Sequence, residues 1–303
     1  MKRYLPTASV IFAGFFWGIM PLFVRGLGEI GLSAIQICSV RLVGAAVTVF
    51  AALAVLRPSA LRINWRDVPL LAVLGLVGML LMSGLYFTAI TLTTASVAAI
   101  LLYTSPIFIL VFSCIFFKER FTRRKLLALL LAFFGCVLVS GIADGGSITP
   151  LGFFIGLGSG IAYASYSLFG RVALARYSSV TVSAYAFVFA ALGAVFFLDL
   201  PSLAASVGGN GSIPLTVFAL IALCLVSGVA PAVLYTYGLS RMEAGRAGIL
   251  VCVEPMTATF ISVAVYHEEC SLLGWCGMLM ILFAILLLNF GKSQAAPEGK
   301  ETP

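Results

Sequence analysis

Two ionisable side chains, Arg41 and Glu254, lie well inside long apolar stretches of this 303-residue chain. If those stretches are membrane helices, both residues would be roughly 13 Å deep in a hydrocarbon core about 30 Å thick. A charge at that depth is costly and marks a functional site by default. A carboxyl group there can take up and release a proton, and a guanidinium group can hold an anion. The alternatives are a structural Arg41–Glu254 ion pair, or a Glu254 that caps a broken helix.

Glu254 directly precedes Pro255, and Ser105 directly precedes Pro106 near the middle of another apolar run. Proline removes a backbone donor and kinks or breaks a helix. Two proline-interrupted membrane helices at corresponding positions are the best sequence pointer to a transport site. We therefore predict that Ser105 and Glu254 bind substrate and that Pro106 and Pro255 form kinks.

Aromatic side chains with polar tips also fall near mid-depth, and they could wall a site for an amphipathic ligand. Ordinary helix packing is the alternative. Tyr86 and Tyr235 fall nearer the ends of their runs, where they would be interface anchors or gate residues. The mid-depth residues, predicted to bind substrate, are Trp17, Tyr103, Tyr163 and Tyr166.

The amino-acid composition of the chain indicates that the segments containing these residues lie in a membrane. Apolar residues make up 62% of the chain and charged residues 10%, against roughly 25% charged in soluble domains. The net charge of +7 does not indicate nucleic-acid binding, because the basic residues lie in short loops between apolar runs. The sequence has no P-loop, Cys/His ligand set or nucleophile elbow, so we expect no enzyme activity, cofactor or metal.

The apolar runs are too long for strands and do not alternate, so they predict helices. We expect an all-α integral membrane protein with ten transmembrane helices, numbered here as spans one to ten. The Gly-rich segment 201–214 is expected to be a loop. The predicted spans are 6–24, 33–56, 68–88, 94–117, 125–142, 150–170, 179–199, 214–240, 245–266 and 271–290.

The positions of the basic residues predict the topology. With ten spans and both termini cytoplasmic, all 18 Lys and Arg residues fall on the inner side except Arg25, in an outer loop, and Arg41, within span two. We expect a multi-pass cell-membrane protein that contacts lipid. The polar segment 291–303 is expected to be a disordered cytoplasmic tail.

The second half of the sequence repeats the first. A shift of 149 positions places Pro106 on Pro255 and Tyr86 on Tyr235, and a shift of 146 places Arg25 on Arg171. Each half has five spans, so the second half enters the membrane from the opposite side. The sequence therefore predicts two inverted five-helix repeats, 1–142 and 150–290, with the substrate path between them.

The chain resembles the drug/metabolite transporter superfamily, in the ten-helix branch with two EamA-type domains. The resemblance covers about residues 5–290 and departs from the family pattern at His267, before Glu268. It implies alternating-access export of small metabolites, commonly amino acids, from a bacterial inner membrane. The residues that carry it are Phe16-Trp17-Gly18, Arg41-Leu42, the run from Tyr103 to Pro106, Lys118-Glu119-Arg120, Glu254-Pro255 and Glu268.

These observations predict a secondary active transporter of a small metabolite. The substrate would be an amino acid or a related amphipathic compound, with its carboxylate near Arg41 and its amine near Glu254. Glu254 would couple transport to a proton or another ion. The open alternatives are an uncoupled facilitator and a non-transporting assembly or lipid factor. The protein would be a monomer or a homodimer.

Overall fold

The computed structural model describes residues 4–140, 149–209, 212–267 and 269–289, and every regular element within these ranges is helical. The predicted tail, 291–303, and Glu268 lie outside the described residues. The α-helices are α1 Leu5–Gly18, α2 Met20–Glu29, α3 Ala34–Leu56, α4 Val68–Gly75, α5 Met82–Leu92, α6 Ala95–Leu102, α7 Ser105–Phe117, α8 Arg123–Val139, α9 Pro150–Leu174, α10 Ser179–Ala194, α11 Leu200–Gly209, α12 Ile213–Ala222, α13 Ala230–Leu239, α14 Ala244–Leu250, α15 Val253–Tyr266 and α16 Leu272–Asn289.

Most of these helices belong to membrane-crossing segments, which confirms an all-α multi-pass membrane protein. Eight helical segments of the described chain are long and apolar enough to cross, and Leu272–Leu288 is a shorter apolar helix. Helix α8 has 17 residues, slightly short of a full crossing. Every predicted span coincides with a helical segment, and the exact number of crossings stays a prediction. The eight segments are Leu5–Glu29, Ala34–Leu56, Trp65–Leu92, Ala95–Phe117, Pro150–Leu174, Ser179–Phe197, Ile213–Leu239 and Ala244–Tyr266.

Two segments predicted to be loops contain helix. Arg25 lies within α2, which continues span one after a break at Ile19. Residues 200–209 form α11 rather than part of a loop. The Asp199 carboxylate accepts the Ser202 N–H at 3.1 Å, and Pro201 lies in the first helical turn, where its missing N–H costs little. A local cap therefore starts a helix where glycine content predicts a turn.

Spans four and nine, which contain Pro106 and Pro255, are each divided into two helices. In span four, α6 ends at Leu102 and α7 begins at Ser105; in span nine, α14 ends at Leu250 and α15 begins at Val253. The structure thus has breaks at the sites where the sequence predicts kinks.

Other irregularities of the backbone also occur in both halves. The third and eighth spans each contain a π-helical segment, Leu76–Leu81 and Leu223–Val229. Lys118 and His267, which end α7 and α15, are the two non-glycine residues of the described chain with positive φ, at 53° and 54°. A shift of 149 relates these two residues, so the repeat extends to the backbone conformation.

Corresponding helices of the two halves also make corresponding contacts with the opposite half. Helix α1 packs against α13 and α15, and its counterpart α9 packs against α5 and α7. Helix α3 packs against its counterpart α10, and α8 packs against α16. This pattern is what two halves related by a two-fold axis produce. Spans four and nine meet directly, because α7 packs against α14.

Candidate functional site

A cavity of about 910 Å³ lies between the two halves and is lined by residues from both. Its lining includes the exposed residues Arg25, Thr91 and Glu269, so the cavity opens at the end of the bundle where these residues lie. No residue from 118–125 or 241–246 lines it. The opposite end is therefore closed.

Most of the site residues predicted from the sequence line this cavity. Ser105, Pro106 and Tyr235 do not line it. The predicted residues that do are Trp17, Arg41, Tyr86, Tyr103, Tyr163, Tyr166, Glu254 and Pro255.

Glu254 lies in the first turn of α15, immediately after the break in span nine. Its side chain is half-buried because it faces the cavity. The Tyr163 hydroxyl lies 3.5 Å from Glu254 Oε2, and Tyr103 is also near this carboxyl group. The N-terminus of a helix favours a negative charge. The site can therefore hold a carboxylate and present it to a ligand.

Arg41 is buried in α3, and its guanidinium group has few partners. Nη1 donates to the Ser227 carbonyl at 3.3 Å, and Nη2 lies 3.8 Å from Cys38 Sγ. Nε is buried and without a partner among the described residues. Ser227 belongs to the π-helical segment of span eight, where the widened turn frees carbonyl groups. Arg41 thus keeps donor capacity for a ligand.

Arg41 and Glu254 line the same cavity. No salt bridge between them occurs among the described residues. The alternative of a direct structural ion pair is therefore not what this conformation shows. Two side chains of opposite charge type therefore line one cavity without pairing with each other.

Aromatic rings form the wall between α1, α9 and α13. The Trp17 ring lies 6.4 Å from Tyr163 and 5.5 Å from Tyr235, and Tyr166 lies 6.2 Å from Tyr235. Tyr235 is 1% exposed and its hydroxyl lies 2.6 Å from Ser167 Oγ. Of the two roles predicted for Tyr235, this burial does not suit an interface anchor, which must reach the membrane surface; its role as a gate residue stays a prediction.

Ser105 and Pro106 are buried at the break of span four, behind the cavity wall. Ser105 is 1% exposed, so this conformation gives it no contact with a ligand. Their place in the structure is the start of α7.

Several cavity residues were missed by sequence reasoning. Cys38 precedes Arg41 by three positions and Ser83 precedes Tyr86 by three, and all four line the cavity. Helical spacing from the predicted residues could have found them, because positions three apart share a helix face. Phe187 had no such signal, because one more aromatic residue in an apolar span is unremarkable by sequence.

The model of the EamA-like transporter family matches residues 7–141 and 150–290. The chain belongs to this family. An uncharacterized transporter of Archaeoglobus fulgidus is 26% identical over 289 residues, which cover 95% of this chain and 99% of the relative. A probable terminal-alkyne amino-acid exporter of Streptantibioticus cattleyicolor is 25% identical, covering 87% and 84%. A protein of known crystal structure is 21% identical to this chain, and the match covers 93% of this chain and 96% of the other. The two structures superpose with a TM-score of 0.77, so their folds are similar.

Proposed function

We propose that this member of the EamA-like transporter family is a secondary active exporter of an amino acid or a related amphipathic compound. Transport is the family's activity, and one relative carries the name of a probable amino-acid exporter. In this proposal the two halves, 1–142 and 150–290, are inverted repeats that alternate access to the cavity between them.

The observation that carries the proposal is that Arg41 and Glu254 line one cavity and form no ion pair with each other. A zwitterion has a carboxylate for Arg41 and an ammonium group for Glu254. The aromatic wall at Trp17, Tyr163 and Tyr166 accommodates its apolar side chain. Apart from Arg25 and Glu269, which lie exposed at its opening, the cavity is lined by one arginine and one carboxylate, and this lining is less suited to phosphorylated substrates.

In the proposed mechanism, Glu254 exchanges a proton for the substrate amine. The carboxyl group is bound either by a proton or by the ammonium group of the substrate, so the two compete at one site. Each conformational switch then moves one or the other across the membrane. Inward movement of protons would drive outward movement of substrate. Tyr163 and Tyr103 provide hydroxyl groups that stabilise the unprotonated carboxylate.

We place the protein in a bacterial inner membrane with both termini in the cytoplasm, on the distribution of the basic residues. Large apolar side chains on the outside of the bundle, such as Phe116 and Phe196, are 70% and 87% exposed and suit contact with lipid. The end that carries Lys118 and Arg176 then faces the cytoplasm. The open end of the cavity faces outward.

A proteoliposome assay tests this function. Purified protein is first screened with single amino acids for a rise in Tm, because a ligand that binds only the folded state stabilises it. The best amino acid is then supplied at equal concentration on both sides of the proteoliposome membrane. We expect an imposed pH gradient to drive its accumulation against its own gradient by the wild-type protein.

Glu254→Gln keeps the shape of the side chain and removes its titration. We expect this variant to lose the response to the pH gradient, whereas Glu29→Gln, at an exposed carboxyl outside the cavity, should behave as wild type. Equilibration without accumulation by the wild-type protein would favour the uncoupled facilitator. Binding and transport of no small metabolite would favour the assembly or lipid factor. An unchanged pH response in Glu254→Gln would refute the coupling role.

A further inference from the structure

A cluster of four charged residues lies at the closed end of the cavity. The Glu119 and Lys125 residues are only 8% and 7% exposed. Arg171 Nη1 lies 3.2 Å from Glu119 Oε1, and Lys125 Nζ lies 2.9 Å from Glu243 Oε2 and 3.8 Å from Glu119 Oε2. Such deeply buried charges are rare unless they are paired. None of these four residues lines the cavity that contains Arg41 and Glu254.

The cluster joins the two halves of the protein. Glu119 and Lys125 come from the first half, and Arg171 and Glu243 come from the second. The Glu119 carboxylate also accepts the backbone N–H groups of Ala244 and Gly245 at 2.8 and 3.3 Å. These two residues begin α14, which leads to the break before Glu254. A side chain of one half therefore holds the start of the central helix of the other.

The equivalent helix at the open end is held differently. There α6 begins at Ala95, and Thr94 Oγ1 of its own chain segment accepts the Val97 N–H at 3.2 Å. Helix α14 has no side-chain cap from its own N-cap residue, Glu243. The N-terminus at the closed end is thus capped from the opposite half, and the one at the open end is capped locally.

An aromatic contact recurs at both ends. The guanidinium carbon of Arg171 lies 5.3 Å from the Phe117 ring centre, and that of Arg25 lies 4.6 Å from the Tyr266 ring centre. Shifts of 146 and 149 relate these pairs. The charged cluster at Glu119 thus belongs to a contact region that is built twice, once at each end of the bundle.

We propose that Glu119, Lys125, Arg171 and Glu243 form the gate that closes this end of the cavity. The proposal rests on the alternating access described under the proposed function. Opening separates Glu119 from Arg171 and from the start of α14. Water then hydrates the separated charges and offsets much of the lost attraction, because the burial of charges is itself costly. An ionic gate can therefore open without the full cost of exposing an equal apolar surface.

Cys114 of α7 offers a native reporter for the gate. It is half-buried and lies near Glu119, Lys125 and Glu243. In this proposal the opened gate admits water, and with it a membrane-impermeant maleimide, to this thiol. Labelling is measured in inside-out and right-side-out membrane vesicles. The modified peptide is identified by mass spectrometry, with Cys114→Ser to show the background from the other cysteines.

Glu119→Gln and Arg171→Gln should each raise the rate of Cys114 labelling about tenfold, since removing one partner of a buried charge cluster leaves the others uncompensated. Arg171→Gln removes the positive charge beside Glu119 but leaves the hydrogen bonds from the first N–H groups of α14 to Glu119 in place. Comparing the two variants therefore distinguishes the effect of these hydrogen bonds from the effect of the ion pair. Thermal unfolding of each variant verifies that it is folded. The control is Asp67→Asn, which removes an ion pair with Arg176 near the same end of α9.

The side chains of Arg176 and Asp67 are 61% and 9% exposed, and the Tyr177 hydroxyl donates to Asp67 Oδ2 at 2.6 Å. Asparagine keeps an acceptor oxygen for this hydroxyl and removes only the charge. Because Asp67 and Arg176 are not part of the four-residue cluster, Asp67→Asn should leave Cys114 labelling unchanged. Unchanged labelling in folded Glu119→Gln and Arg171→Gln would overturn the gate. An equal rise in Asp67→Asn would also overturn it, because that would indicate general loosening. The labelling needs no substrate, so it is independent of the outcome for Glu254→Gln.

Discussion

Helix α9 packs so closely on the break of span four that one added methyl group should be measurable. A Cβ atom on Gly160 would lie 2.6 Å from Thr104 Oγ1 and 2.7 Å from the Leu101 carbonyl oxygen. The Leu101 oxygen is backbone and cannot rotate away. Thr104 Oγ1 is itself bonded to that carbonyl at 2.6 Å. Gly160→Ala must therefore displace α9 from the α6–α7 break.

The expected cost follows from a matched comparison with Gly84→Ala. Gly84 lies within α5, and a Cβ atom there would have nothing within 4 Å. Both substitutions gain the same helix preference, about 1 kcal/mol, so the difference between them isolates the clash. Overpacking costs about 1–3 kcal/mol. We expect the Tm of Gly160→Ala to be lower than that of Gly84→Ala by at least about 2 °C.

The assay is thermal unfolding of both variants in the same detergent, with wild type alongside. Equal Tm values for Gly160→Ala and Gly84→Ala would refute the close approach of α9 to the break. A Gly160→Ala protein that is destabilised and also transports slowly would link this contact to movement of span four.

Two further predictions concern the cavity and its wall. Tyr235→Phe leaves the buried Ser167 hydroxyl without its partner at 2.6 Å and should reduce the free energy of unfolding by about 1–3 kcal/mol. In a double-mutant cycle, Ser167→Ala should add little to this loss. Full additivity of the two losses would contradict the hydrogen bond. Arg41→Met should abolish the rise in Tm that amino acids produce, but it should keep the rise produced by a ligand that has no carboxylate. An unchanged rise in Tm with amino acids would exclude Arg41 as the carboxylate site.

The spans and central breaks could be predicted because they depend on local signals. Long apolar runs specify helices, and Pro106 and Pro255 mark the breaks directly. The charged cluster at Glu119 could not be predicted, because a glutamate at a helix end has many possible partners and only the packing of the halves brings Arg171 and Ala244 to it. Each π-helical segment contains one glycine, Gly78 or Gly228, but glycines are also common in the regular helices of this chain, so they do not predict the segments.

Helix α14 connects the proposed gate to the proposed substrate site. It has seven residues and is therefore about 10 Å long. Its first N–H groups bond to Glu119 at one end, and the break at its other end leads to Glu254. A ligand that binds Glu254 more favourably when this short helix has moved would shift the gate equilibrium by that difference in affinity. The counterpart helix, α6, leads instead to Ser105, which is buried away from the cavity. In this proposal the substrate binds at only one of the two corresponding breaks of the repeated scaffold, and α14 is the element through which the substrate controls the gate.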